Sequence, residues 1–125
     1  MALELRIWDM SLDAARDLES YQFHILQLSA EYTADKATGG DQMLVGILQN
    51  KPDEEGKSCE NRRVGISKVV CGGAIEVGDH ITADANSHGV VAAEGERYVG
   101  IALEPGVEDR VISLVMEFGY APAAS

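Results

Sequence analysis

The chain has 125 residues, 46% hydrophobic and 25% charged, with 21 acidic side chains against 10 Lys and Arg. That length suits one domain, and the apolar fraction is that of a globular protein instead of a disordered one. The net charge of -11 argues against nucleic acid and against anionic membrane surfaces as partners, since both need a basic footprint.

Residues 1–20 read as an N-terminal arm, of which the part before Ser11 is an extended arm or a short strand. Leu3, Leu5, Ile7 and Met10 give partly alternating apolar positions, with Trp8 out of phase. Ser11 is placed to cap a short helix over 12–18, with Asp13 favourable near its start. The charges in Met-Ala-Leu-Glu-Leu-Arg do not suit a signal peptide, so synthesis in a reducing cytoplasm is expected. The longest uncharged stretch, Ser20 to Ala30, is far short of the roughly 20 apolar residues a membrane helix needs.

Residues 21–120 read as a single β domain. Tyr21, Phe23 and Ile25 alternate toward one face of a strand whose spacing breaks at Leu26. From Gln42 onward short apolar runs recur: 43–48, 63–70, 80–82, 89–92, 98–103 and 110–116. Gly, Asn, Asp and Pro clusters separate them, among them Gly39-Gly-Asp41, Gly78-Asp79 and Pro105-Gly106. Many short strands with frequent turns predict a mainly β fold, a compact antiparallel sandwich or small barrel. Polar residues 52–63 read as a loop between strands, in which Arg62 and Arg63 could pair an acidic partner. Residues 121–125 read as a flexible tail.

Catalytic and metal signatures are thin. Cys59 and Cys71 lack CxxC spacing and read as reduced core thiols. His80 and His88 flank Asp84, but strand and turn spacing does not bring three ligands together, so no metal is expected. Asp84, Asn86 and Gly89 match the first, third and sixth positions of a calcium loop, yet the twelfth is Gly95. A polar turn with Gly89 in a left-handed conformation is the simpler reading. No nucleophile elbow, Walker loop or dinucleotide fingerprint occurs, and Glu54-Glu55 and Glu108-Asp109 fall in loops. A protein without enzymatic activity and without a cofactor is expected. Ala34-Asp-Lys36-Ala is similar to the lysine hairpin of lipoyl or biotinyl carrier domains. Their upstream Gly-Asp element is missing here, and Gly78-Asp79 lies downstream instead.

The second half carries a more specific pattern. Ala74-Ile-Glu-Val-Gly-Asp-His-Ile-Thr-Ala-Asp-Ala-Asn86 is followed by Gly89-Val-Val-Ala-Ala93, Tyr98-Val-Gly-Ile-Ala-Leu-Glu104 and Arg110-Val-Ile-Ser-Leu-Val115. In order and spacing this resembles the small decoration, or cement, proteins of tailed-bacteriophage capsids, over roughly residues 64–117. The resemblance implies a compact β-tulip-like domain and a homotrimer. It also implies docking on the outer surface of an expanded head, where such proteins stabilise contacts between major capsid subunits. An N-terminal arm is the usual clamp, which makes Trp8, Met10, Leu12 and Leu18 the candidate contacts, with Arg62 and Arg63 beside them. Alternatives left open are a carrier domain and another virion β protein of the tail tube or head completion. Between Asp79 and Ser125 there are 8 acidic residues and only Arg97 and Arg110 as cations, so that region is expected to face solvent.

Overall fold

The computed structural model describes residues 4–122, and nearly all of its regular structure is strand. In chain order these are β1 (Leu5–Ala14), β2 (Ile25–Ala30), β3 (Thr33–Lys36), β4 (Leu44–Leu48), β5 (Ser58–Val70), β6 (His80–Ala83), β7 (Gly89–Val91), β8 (Arg97–Ala102) and β9 (Val111–Tyr120). They form one sheet in the order β1-β3-β2-β4-β5-β9-β8-β6-β7. The sheet is mixed because β1 and β3 run parallel, whereas the other named strand pairs are antiparallel.

Two circuits share β5. An additional β1–β5 pairing joins the first strand back to the fifth, so β1-β3-β2-β4-β5 is a closed ring. On the other side, a single bridge between Cys71, which follows β5, and Gly89 of β7 brings the run β5-β9-β8-β6-β7 back to its start. Closure removes most of the strand edges that would otherwise invite unwanted pairing. Each circuit has its own core. Leu12, Ala14, Leu18, Leu26, Ala34, Val45, Leu48 and Cys59 fill the first. A larger cluster, including Val69, Ile81, Val99, Ile112, Leu114 and Met116, fills the second and also takes Ile25, Leu44 and Ile47 from β2 and β4.

Strand β5 can serve both circuits because Gly65 stands where the chain must bend. Its φ is +116°, and a Cβ there would sit 2.0 Å from the Leu5 carbonyl oxygen. Only glycine fits so close to a neighbouring backbone at that dihedral. Gly100 does similar work between β8 and β9, where a Cβ would lie 2.0 Å from a Leu114 methyl. The register shifts at the same place.

Three expectations from the sequence are corrected. Of the two readings of the first residues, residues 5–14 take the strand and not the arm, and no helix starts at Ser11: they are a stave of the first ring, paired with β5 from Leu5 to Asp13. Met10, Leu12 and Ala14 point inward and Ser11 and Asp13 outward, an alternation that only a strand can use. The Ser11 hydroxyl accordingly donates to Glu60 across the ladder and caps nothing. The strand read from Tyr21 begins only at Ile25, because Phe23 adopts φ +66° and breaks the ladder. Its N–H donates to Leu48 and its carbonyl accepts from Val70, which pins the bend at both ends. Finally, β5 starts at Ser58, so half of the polar 52–63 stretch is strand. The tail proposed over 121–125 lies outside the described residues from 123 on; Ala121 is buried and exchanges backbone hydrogen bonds with Gly95 and Glu96.

Candidate interaction surface

The six candidate contact residues separate once they are placed. Trp8 is half exposed on β1 opposite Val64 of β5, itself exposed, with Leu5 and Ile7 open to solvent on the same strand. Four large apolar side chains on a two-strand ribbon make a surface that water solvates poorly. Met10 and Leu12 lie further along β1 and line a cavity of about 410 Å³ together with Leu28, Tyr32, Val45 and Glu31. This is the mouth of the first ring: Leu12 and Val45 belong to its core, whereas Leu28 and Tyr32 form an open apolar rim. Leu18, in contrast, is wholly buried in that core and donates its N–H to Pro52. It holds the ring together and is not a contact residue.

The two arginines part in the same way. Arg62 is only 4% exposed, and its guanidinium forms a fork with the Asp9 carboxylate at 2.9 and 3.3 Å while donating to the Ile66 carbonyl. A buried charge so completely paired fastens β1 to β5 and is unavailable to a partner. Arg63, the next residue, faces the opposite side of the strand. It donates to the Val45 carbonyl and stacks on Phe118 at 4.1 Å from the ring centre.

Tyr32 is an exposed aromatic that the sequence reading missed. It is 73% exposed and sits at φ +52° in the two-residue Glu31-Tyr32 turn joining β2 to β3. A bulky aromatic in that conformation costs energy that Gly or Asn would avoid. Its carbonyl accepts the Asp13 N–H, which fixes the turn against β1. The signal was in the letters: a tyrosine between two short strands where a turn residue belongs.

The polar clusters have structural partners. His24 lies 4.7 Å from the His88 ring and 5.1 Å from Tyr21, and its Nδ1 is 2.7 Å from the Ser87 hydroxyl. Burial, then the neighbouring His88, lowers its pKa below the ordinary histidine value. Asp84 accepts the N–H groups of Asn86 and His88, which closes its loop. The left-handed residue of that loop is Ser87, not Gly89. His80 stacks on Tyr98, remote in role from the other two histidines. Among the described residues no group of three or more His, Cys, Asp or Glu side chains gathers in a form able to hold a metal ion. Lys36 ends strand β3, half-buried, with its ammonium 3.2 Å from the Tyr21 hydroxyl and over its ring. It lies on a strand and not at the tip of a hairpin. The Cys59 thiol is pushed up to about 11 by burial, reinforced by Asp13 and other carboxylates, which keeps it protonated at neutral pH.

No helix among the described residues is long and apolar enough to cross a membrane. No protein-family model and no curated protein matches the chain. Among solved structures it is similar to the N-terminal base of the head fibre protein gp8.5 of bacteriophage phi29, with a TM-score of 0.63 and 16% identity. The match covers 88% of this chain and 93% of that one. At that identity the likeness is one of fold.

Proposed function

We propose that this chain is a structural protein of a tailed-phage virion, a decoration or cement protein that binds the outside of the head and acts by contact area, not by chemistry. The observation that carries the reading is the fold, which matches the base of a phage head fibre over nearly its whole length. The surface supports it, because the exposed apolar side chains of β1, Val64 and the rim of the first ring are suited to burial against a protein. The occupant proposed for that surface is the major capsid protein, with Trp8, Met10, Leu12 and Tyr32 as contacts. A homotrimer would turn three modest contacts into firm attachment through avidity. The fibre-base likeness also favours a second reading within the same class, a base that seats a larger appendage on the head.

The proposal is tested by mixing the protein with expanded, genome-free heads, pelleting them, and measuring bound protein and solution mass. Co-sedimentation and a mass three times the 13.4 kDa of the chain are expected. A monomer that stays in the supernatant would overturn the reading. Point variants are needed to map the contact, since removing residues 2–12 would take a stave out of the first ring. Trp8→Ala and Tyr32→Ala should each lower head binding with little change in folding. A carrier function predicts a lipoyl or biotinyl adduct on Lys36, which intact mass would reveal.

A further inference from the structure

Two arginines that share neither a strand nor a neighbourhood in sequence meet over one aromatic ring. Arg63 of β5 lies 4.1 Å from the centre of Phe118, and Arg97 of β8 lies 5.4 Å from the same ring and 5.8 Å from Tyr120. Each is anchored by one bond to the backbone of β4, Arg63 Nη1 to the Val45 carbonyl and Arg97 Nε to the Leu44 carbonyl. These anchors fix the two guanidiniums while leaving most of their five donors each uncommitted to side chains. Tyr120 stands beside them, 65% exposed.

Half of the 10 basic side chains have a carboxylate partner among the described residues. Arg6, Arg16, Lys57, Arg62 and Lys68 each lie within 4.0 Å of a carboxylate. Among the described residues neither Arg63 nor Arg97 does, although acidic side chains outnumber basic ones two to one. Two half-buried like charges then repel, and burial together with Arg97 lowers the pKa of Arg63. We infer that Arg63, Arg97, Phe118 and Tyr120 form a binding site for a carboxylate on an acidic segment of a partner protein. The planar fork of a guanidinium matches a carboxylate in a bidentate manner, and the rings hold both forks in place. A polyanion such as nucleic acid is disfavoured, because the whole chain carries -11 and this patch offers only two cations. The inference concerns the chemistry of this patch and stands or falls independently of the capsid reading.

The test uses the full chain with labelled arginine side chains, following each Nε–H resonance by NMR. The probes are a capped tri-glutamate peptide, its tri-glutamine counterpart and inorganic phosphate. The glutamate peptide should give a saturable shift at Arg63 and Arg97, larger than at Arg6 or Arg110, and the glutamine peptide none. Arg97→Gln should weaken binding about fivefold, while Arg6→Gln leaves it unchanged. Should Arg97→Gln fail to fold, Arg63→Lys retains the charge without the fork and should also weaken binding. No saturable shift, or equal shifts at all four arginines, overturns the site. Tighter binding of phosphate than of the peptide overturns the carboxylate assignment.

Discussion

The two circuits of this sheet share a strand and differ in what they do with their interiors. The second is filled: Val69, Ile81, Val99, Ile112 and Leu114 are fully buried and meet across it. The first is filled at one end by Leu18, Leu26 and Leu48 and left open at the other, where Met10, Leu28 and Tyr32 line a cavity. The closed half is therefore the more densely packed, and the head contact proposed above falls on the open one. A packed core tolerates no opening, whereas a contact surface requires apolar groups that remain unsatisfied until a partner covers them.

Variants can break or sharpen that division. The largest effect is expected at Gly65, where any side chain collides with the Leu5 backbone: Gly65→Ala should cost about 3 kcal/mol or more and disturb both circuits, measured by urea denaturation. Ile112→Ala removes a wholly buried side chain from the closed core and should cost about 2–5 kcal/mol in the same assay. Met10→Ala, at the open mouth, should cost less than Ile112→Ala yet reduce head binding more; the reverse order would refute the division. Acidification gives a smaller, graded effect. Because the native fold holds the His24 pKa below its unfolded value, the unfolded chain takes up the proton first. That contribution to stability is complete above about pH 6.5 and is lost as pH falls through the lowered value. Melting temperature should therefore fall between pH 7 and 5, and less so in His88→Gln, which removes one of the two causes. Smallest of all, Tyr32→Asn should raise stability by up to about 1 kcal/mol by relieving the left-handed tyrosine, while weakening head attachment. A variant that gained stability and kept attachment would remove Tyr32 from the contact surface.

Much of the second circuit was legible in the letters. The apolar runs at 80–82, 89–92, 98–103 and 110–116 fall on β6 to β9, because antiparallel hairpins write their turns into the sequence. The first circuit was harder for identifiable reasons. Strand β1 pairs with β5 about fifty residues away, and no local signal announces such a partner. The start of β5, Ser-Cys-Glu-Asn-Arg, looks like solvent-exposed loop. Yet Asn61 and Arg62 are buried there, donating to the Val45 carbonyl and to Asp9. Buried polar residues that bond to distant groups defeat any reading based on hydrophobic pattern. The candidate contacts were separated for the same reason: Trp8 is half exposed on β1, Met10 and Leu12 turn toward the mouth of the first ring, and Leu18 is buried. Arg62 and Arg63, alike in the sequence, were sent by strand alternation to opposite faces and opposite fates.

The two free cysteines offer an internal measurement of how independently the circuits breathe. Cys59 lies in the core of the first and Cys71 in the core of the second, both fully buried. An alkylating reagent can reach either thiol only while its own ring is transiently open, so each labelling rate reports one local opening equilibrium. Equal rates would mean that β5 forces the two halves to unfold together. A faster rate at Cys59, abolished when the protein sits on a capsid, would show the open ring relaxing alone until its partner closes it.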